Sequence, residues 1–244
     1  MSLKHLLKTK VENLTGYYIH KKSDLPVGVD LKRDIQHKLK KVEVRTIFDV
    51  GANLGQTAIK FSNEFPNAKI HSFEPISSTY NKLVQNTKDY SNVICNNFAL
   101  GNEVGETEIS IFDEKDSGLN SLVGSNMNNK QDSKKEIIKI STIDEYLKAN
   151  NIQNIDLLKI DTEGFEINVM NGAINAFKNN NVKLIFLEVG LDNKINKRHQ
   201  YFVDIQSYLS EQNFVFVGFY EVIHSLLPIK FHFANALYIN EKYL

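Results

Sequence analysis

The 244-residue sequence has a single cysteine, no net charge and no long apolar run. With Cys95 alone, the chain can form neither an internal disulfide nor a multi-cysteine metal site. Its 29 basic and 29 acidic residues cancel, so the composition does not predict nucleic-acid binding. No stretch approaches the ~18 apolar residues of a membrane-spanning helix, and the first residues lack the apolar segment of a signal peptide. We therefore expect a folded, cytoplasmic protein without an integral membrane segment.

What the sequence does contain is the composition of a globular protein, with 42% hydrophobic and 24% charged residues. Charge is unevenly distributed, because residues 1–45 hold 11 basic and 5 acidic side chains and the rest is acidic overall. We expect a basic helical N-terminal extension at 1–43 and a larger domain at 44–244. The extension could dock on a twin subunit, an anionic carrier or a membrane surface, or could be a solvated helix. A homo-oligomer is left open.

Apolar runs and helical patterns alternate along the larger domain. The runs at 46–50, 69–73, 93–95, 156–160, 184–189, 214–219 and 236–240 predict seven strands. Helices are predicted at 30–41, 57–61 and 77–87, after a cap at Thr142, at 166–178 with a break at Gly172, and at 200–211. Between 101 and 140, a period-two stretch at 106–112 and a polar loop at 126–135 predict a β-rich insertion. The fold class is therefore a doubly wound α/β sheet, which binds ligands beyond the carboxyl ends of its strands.

The first predicted strand ends in a turn that reads Asp-Val-Gly-Ala-Asn-Leu-Gly at 49–55. Gly51 and Gly55 would let backbone N–H groups approach a ligand closely. Asn53 stands where the dinucleotide fingerprint has its second glycine, which disfavours a NAD-dependent dehydrogenase. Asp49 suits a ligand with an ammonium and a sulfonium group better than a pyrophosphate. The alternative is an ordinary glycine turn after a buried strand.

A second acid, Glu74, directly follows the second predicted strand and precedes Pro75. A carboxylate at this point offers two acceptor oxygens to the neighbouring hydroxyls of a ribose. The alternative is a surface glutamate at a turn. Together with Asp49, Glu74 predicts a site for a cofactor that contains adenosine.

The Asp-x-Gly-x-Asn-x-Gly turn and the Phe-Glu-Pro segment resemble the class I methyltransferases that use S-adenosylmethionine. Further segments narrow the resemblance to the FkbM family of methyltransferases: 97–101, 120–122, 141–144, 158–166, 171–173 and 187–189. The Lys-Ile-Asp-Thr-Glu-Gly stretch at 159–164 is the most specific, and the resemblance covers about residues 44–240. It implies a Rossmann-like methyltransferase fold, S-adenosylmethionine as cofactor, and O-methylation of a sugar or polyketide hydroxyl.

The resemblance also implies where the cofactor lies. Its methionine side would meet Asp49, Gly51, Asn53 and Gly55, its ribose Glu74 with the adjoining Pro75, and its adenine Asn97 and Ala99. The partner would be a small-molecule or glycan acceptor. Two rival functions stay open: an N-methyltransferase, which often has Asn or Asp with Pro-Pro-Tyr where this chain has Asp-Thr-Glu-Gly, and a non-catalytic binding module, which would need neither Asp49 nor Glu74.

Methyl transfer to a hydroxyl is helped by a group that takes the hydroxyl proton. Asp161 and Glu163 follow the fourth strand and Glu188 closes the next, so any of them could accept the proton, bind the acceptor or hold a cation. Asp161 would also lie near the methyl donor. Oxygen ligands suit Mg²⁺, but the spacing of the three acids does not favour a metal site. If the chain is still extended at Asp161 and Glu163, both carboxyl groups face one cavity and titrate as a pair. The alternative is that they only stabilise a helix N-terminus.

Histidines and a basic cluster are secondary candidates. His199 and His224 could act as the base from loops over the site, although single histidines are more often surface or packing residues. His71 lies inside a strand and is predicted to be structural. The basic cluster at 194–198 could meet an anionic acceptor group, but favours a solvated face. Cys95 is predicted to be a buried, unreactive thiol.

Overall fold

A computed structural model describes residues 3–21, 24–39, 42–111, 134–191, 200–224 and 232–244 of the chain. Its helices are α1 (Leu3–Thr15), α2 (Leu31–His37), α3 (Gln56–Glu64), α4 (Ser77–Thr87), α5 (Ile143–Ala149), α6 (Glu166–Asn171), α7 (Ile174–Lys178) and α8 (Phe202–Glu211). Its strands are β1 (Thr46–Val50), β2 (Lys69–Phe73), β3 (Val93–Asn96), β4 (Ala99–Leu100), β5 (Gly105–Ile111), β6 (Lys134–Ser141), β7 (Ile155–Ile160), β8 (Val182–Gly190), β9 (Phe214–His224) and β10 (His232–Asn240). A 3₁₀ turn at Glu241–Tyr243 follows the last strand.

Seven strands form the central sheet in the order β3-β2-β1-β7-β8-β10-β9. The strands from β3 to β8 in this order are parallel, and β10 is antiparallel to both β8 and β9. This arrangement confirms the predicted seven-stranded, doubly wound α/β sheet. The parallel strands end at one edge, so the acids that follow β1, β2, β7 and β8 in the sequence are brought to the same edge.

Both faces of the sheet are covered, which explains why its strands appear as apolar runs in the sequence. Successive side chains of β1 point to opposite faces. Ile47 packs in a cluster with buried residues of α2 and α3. Phe48 packs on the other side with buried residues of α5, α6, α7 and α8. Both side chains are fully buried, so β1 lies at the centre of the molecule.

The predicted insertion is a second sheet of three strands in the order β4-β6-β5. β5 matches the period-two stretch and pairs antiparallel with β6. The loop predicted at 126–135 is wrong at its end, because β6 begins at Lys134. The Nζ of Lys135 lies 2.6 Å from Glu108 Oε1 on the paired strand, so a polar pair across two strands was mistaken for a loop. Residues 120–122 lie outside the described residues.

Two local predictions about helices are confirmed. Thr142 caps α5, since its Oγ1 accepts a hydrogen bond from the Glu145 N–H at 3.1 Å. Gly172 separates α6 from α7, and a Cβ at this position would collide with the backbone of Gly101. The break therefore has a packing reason, because two backbone segments meet where no side chain fits.

The N-terminal residues divide into two kinds of helix. α2 places Leu31 and Ile35 in the core beside the sheet, and its Asp34 accepts a hydrogen bond from the Tyr220 hydroxyl at 2.9 Å. α1 keeps its apolar side chains Leu6, Leu7, Val11 and Leu14 exposed. α2 thus packs on the sheet, although it lies on the N-terminal side of the boundary predicted at 43. In the part of the chain that the structure describes, no helix has the length and apolar character needed to cross a membrane.

Cys95 is half-buried, so the prediction of a buried thiol is wrong. β3 is an edge strand of the central sheet, and the neighbouring Ile94 is 41% exposed. The sulfur lies 3.4 Å from the Thr87 hydroxyl. An apolar run at a sheet edge buries less of its surface than one in the middle, and the sequence does not distinguish the two.

Candidate active site

The turn after β1 is pressed between two other elements. Gly51 has φ 77°, and a Cβ there would collide with the carbonyl oxygen of Asp161 after β7. Gly55 has φ 92°, and a Cβ there would lie 2.9 Å from a methyl group of Leu83 on α4. Both positions need glycine, because each combines a left-handed conformation with a close approach. The turn therefore lies against the end of β7 on one side and α4 on the other.

Asn53 and Glu74 connect this turn to the end of β2. Asn53 has φ 48°, a left-handed conformation that asparagine tolerates better than most residues. Its backbone N–H donates to Glu74 Oε2 at 3.0 Å, and the N–H of Ile76 donates to Glu74 Oε1 at 3.0 Å. Glu74 is 6% exposed. Burial raises its pKa to about 7, although the two hydrogen bonds oppose the shift.

Asn97 and Ala99 have different surroundings. The Asn97 amide donates to the carbonyl oxygens of Glu74 and Pro75, each at 3.0 Å, and thereby ties the end of β3 to the end of β2. Ala99 is buried in β4, where it packs with Ile76 and residues of the small sheet. Asn97 thus supports the position of Glu74 and lies directly after β3, where an adenine was predicted.

Lys159, for which the sequence predicted no role, contacts the backbone of the turn after β1. Its Nζ is 3.2 Å from Asp49 Oδ1, 3.4 Å from Asp161 Oδ2 and 3.3 Å from the carbonyl oxygen of Gly51. Burial alone would lower the pKa of Lys159, but the two carboxylates more than offset this and raise it. Burial raises the pKa of Asp49, which shares this one lysine with Asp161. The signal in the sequence was a lysine between Leu158 and Ile160, two apolar residues of a buried strand.

Asp161, Glu163 and Glu188, the three acids considered as acceptors of the hydroxyl proton, come together. One carboxylate oxygen from each lies within 4.8 Å of the other two. The chain is not extended at Asp161 and Glu163, because Glu163 has a left-handed backbone with φ 53° and Gly164 follows with φ 100°. Burial, and then the charges of Asp161 and Glu163, raise the pKa of Glu188 to about 9. Glu188 therefore holds its proton more tightly than an ordinary carboxyl group, and the three groups together could hold a divalent cation.

Glu166 holds this acidic turn in place. It is fully buried, and its Oε1 accepts hydrogen bonds from the Thr162 N–H and hydroxyl, both at 3.1 Å, and from the Gly164 N–H at 3.0 Å. Gln200 donates to the carbonyl oxygen of Gly164 at 2.9 Å. Glu166 belongs to the segment 158–166 that resembles the FkbM family, but the sequence predicted no role for it. Its position two residues after Gly164, at the first turn of a helix, was the signal.

Residues 49–216 match the family described as "Methyltransferase FkbM domain", and this match covers more than half of the chain. The chain belongs to the FkbM methyltransferase family. A curated relative, the hexuronic acid methyltransferase AglP of Haloferax volcanii, is 25% identical over 150 residues, which are 61% of this chain and 58% of that protein. Methyltransferase 1 of Beauveria bassiana is 22% identical over 143 residues, which are 52% of this chain and 57% of that protein. The chain thus spans less than two thirds of the length of these relatives.

A solved structure shows the same fold. The METTL16 MTase domain superimposes with a TM-score of 0.50 at 11% sequence identity, over 97% of this chain and 78% of that one. At such low identity the likeness concerns the fold alone. The predicted resemblance to the FkbM family and the predicted class I methyltransferase fold are both confirmed.

The remaining candidates of this FkbM domain are less informative. His199 and the basic cluster at 194–198 lie outside the described residues. His224 is the last residue of β9. His71 is buried with its Nδ1 2.9 Å from the Tyr146 hydroxyl, and burial lowers its pKa to about 4. A neutral, hydrogen-bonded imidazole in the core agrees with the structural role predicted for His71.

Proposed function

We propose that this chain is an S-adenosylmethionine-dependent O-methyltransferase whose acceptor is a hydroxyl group on a sugar or glycan. The observation that carries the proposal is a juxtaposition at one sheet edge. A glycine turn joined to Glu74 lies beside a cluster of three carboxyl groups. Membership of the FkbM family supports methyl transfer, and the hexuronic acid methyltransferase among the relatives supports a sugar acceptor.

The residues after β1 and β2 fit the adenosine part of such a cofactor. Each oxygen of Glu74 accepts one backbone hydrogen bond and keeps a lone pair for a ribose hydroxyl. Asn53 Oδ1 is buried and accepts no hydrogen bond from the described residues, so it is an acceptor that a ligand N–H or O–H could satisfy. The glycines of the turn allow the left-handed backbone that places the turn beside these acceptors.

Asp161 is better placed than Asp49 to receive the ammonium group of the cofactor. The Asp161 side chain is 40% exposed, whereas Asp49 has no exposed surface. Asp49 would not touch the cofactor and would instead support the turn, because Lys159 links Asp49 to the carbonyl oxygen of Gly51. Lys159 also leaves this group of two acids with a net charge of −1, which complements a cationic cofactor.

Bound S-adenosylmethionine would supply a methyl group activated by the sulfonium. The protein must place the acceptor hydroxyl in line with the methyl–sulfur bond and take its proton as the new carbon–oxygen bond forms. Glu188, with a pKa of about 9, carries a proton at neutral pH and can donate a hydrogen bond to the acceptor. Glu163 lies within the same cluster and would take the hydroxyl proton.

A transfer assay with isotopically labelled S-adenosylmethionine and neutral or acidic hexosides tests the proposal. The expected product is an O-methyl sugar. Glu163→Gln should lower turnover about a hundredfold or more, the scale of a lost general base. Its cofactor affinity, measured by calorimetry, should stay near that of the wild type. Glu211→Gln, an exposed acid at the end of α8, is the matched control and should keep full turnover. Absence of cofactor binding by the wild type, or transfer to amines alone, would contradict the proposal.

The pH dependence of the same assay separates the roles of Glu188 and Glu163. Turnover should fall as the pH rises through about 9, because Glu188 loses its proton there. Glu188→Gln keeps a hydrogen-bond donor, so it should stay active and lose this fall. An inactive Glu188→Gln, with wild-type turnover rising towards pH 9, would instead make Glu188 the base. Dialysis against EDTA should leave turnover unchanged, and a loss that Mg²⁺ restores would assign the three carboxyl groups to a metal.

A further inference from the structure

Residues 3–21, here called the N-terminal arm, carry apolar side chains that the rest of the described protein leaves exposed. Leu7, Val11 and Leu14 share one face of α1, since residues three and four positions apart are neighbours on a helix. Their exposed fractions are 55%, 42% and 87%, and Leu6 beside them is 46% exposed. A helix of 13 residues is only marginally stable by itself in water. The apolar stripe therefore indicates that another surface covers α1.

The arm is basic around this stripe. Residues 3–21 contain four lysines and one glutamate, which gives a net charge of +3. The glutamate, Glu12, is engaged within the arm: its Oε1 lies 3.6 Å from Lys8 Nζ and accepts a hydrogen bond from the Ile19 N–H at 2.8 Å. Lys4 and Lys8 lie on the helix beside the apolar face. The surface that covers the stripe must therefore be compatible with positive charge.

Aromatic side chains follow the helix. α1 ends at Thr15, and the next residue, Gly16, has φ 72° and donates to the carbonyl oxygen of Glu12 at 2.9 Å. Tyr17 and Tyr18 come next and are 76% and 87% exposed. Tyrosine has an apolar ring and a polar tip, a combination that is enriched where membrane and water meet. Because Glu12 holds Ile19 close to α1, these rings stay near the end of the stripe.

We infer that the N-terminal arm lies on an anionic lipid surface, with the leucine stripe in the headgroup region and the lysines against lipid phosphates. Charge selects this occupant, because an anionic leaflet attracts a basic amphipathic helix. A second copy of the chain would bring a further +3 to the same face. Area disfavours a second copy too: four such side chains from each copy fall short of the roughly 1,200 Å² that stable protein interfaces bury.

Vesicle flotation of the full chain tests this inference. The vesicles are made of phosphatidylcholine alone or of a two-to-one mixture with phosphatidylglycerol. The wild type should float with the mixed vesicles and not with the neutral ones, and added salt should weaken binding. Leu14→Asn should lower the partition coefficient about tenfold or more, the scale of losing one inserted leucine. Thr9→Asn, on the polar face of α1, is the matched control and should bind within about twofold of the wild type.

Five outcomes would overturn the inference. The wild type could fail to float, or float equally with neutral vesicles. Leu14→Asn and Thr9→Asn could behave alike. Light scattering could reveal a dimer that Leu14→Asn dissociates, which would assign the stripe to a second copy. A lower melting temperature of Leu14→Asn in the absence of vesicles would show that the stripe packs on the protein itself. Lys10→Gln should weaken binding to the mixed vesicles about fivefold and leave the melting temperature unchanged.

Discussion

The two ends of β7 each carry an acid, and the two acids differ in how the protein compensates their charge. Asp156, near the amino end, is 4% exposed and accepts hydrogen bonds from the N–H groups of Arg45 and Thr46 at 2.7 and 2.8 Å. Its other oxygen lies 2.6 Å from Lys183 Nζ. Asp161, directly after the carboxyl end, shares Lys159 with Asp49.

The difference is one of charge compensation. Asp156 meets one cation and two backbone donors, so its carboxylate is fully satisfied by the protein. At the other end, Lys159 serves two acids, and Glu163 and Glu188 add to the crowding around Asp161. An excess of acids at a partly open edge is an arrangement that shifts pKa values and is common at functional sites. The amino end is therefore structural, and we propose that the carboxyl end is catalytic.

Removing the lysine at each end of β7 should give the largest difference between the two ends in the free energy of unfolding. Lys159→Met leaves the fully buried Asp49 without its cation and should lower the free energy of unfolding by about 3–5 kcal/mol. Lys183→Met leaves Asp156 with its two backbone donors and should cost only about 1 kcal/mol. Urea denaturation at neutral pH measures both.

A double variant controls this experiment. Adding Asp49→Asn to Lys159→Met removes the uncompensated charge and should recover part of the lost stability. Equal losses for the two lysine variants would mean that the two ends are compensated alike, and the comparison would fail.

The second largest difference should be in cofactor affinity, which a change at the carboxyl edge should lower and a change at the amino end should not. Glu74→Ala removes both predicted acceptors of the ribose hydroxyls and should weaken S-adenosylmethionine binding by about 2 kcal/mol. Asp156→Ala should leave the affinity unchanged, although the protein becomes less stable. Isothermal titration calorimetry on folded samples of each variant provides the measurement. Wild-type affinity in Glu74→Ala would remove Glu74 from the cofactor site.

The smallest effect concerns the stability of an amide variant at each end, and the two variants should differ in the sign of the change. The pKa of Glu188 is raised from 4.5 to about 9, so the folded state retains a proton that the unfolded state loses. The stability that Glu188 contributes is fully present below about pH 4.5 and is lost as the pH rises towards 9. Glu188→Gln should therefore raise stability at pH 8 by about 1 kcal/mol, whereas Asp156→Asn should lower it.

Thermal unfolding at several pH values checks this prediction. The gain in Glu188→Gln should shrink as the pH is lowered towards 4.5. A gain that does not depend on pH would show that charge repulsion at Glu188 is not its origin.

Most of the sheet could be predicted, because strands buried on both faces have apolar runs that stand out from their surroundings. The capping by Thr142 and the break at Gly172 were also predictable, since each depends on residues close together in the chain. β6 was missed where Lys134 and Lys135 begin it, because its polar side chains resemble a loop. Cys95 was misjudged because the position of β3 at the sheet edge depends on the order of all seven strands.

The candidate site was predictable to the extent that it follows strand ends. Asp161, Glu163 and Glu188 were recognised from that position and do meet. Lys159 and Glu166 received no role, because each acts through partners that the fold brings to it. For Lys159 these partners are Asp49 and the backbone of Gly51, on a strand distant in the chain.

The sequence by itself determined the order of strands and helices, the glycine positions of the turn after β1, and the acids that follow the strands. These features depend on local periodicity and on backbone conformations that particular residues allow. Only the tertiary structure decided that Lys159 compensates Asp49 and Asp161, that the pKa of Glu188 is raised, and that α2 is covered while α1 is not. Electrostatic energies and burial depend on distances through space, and the packing of elements far apart in the chain sets those distances.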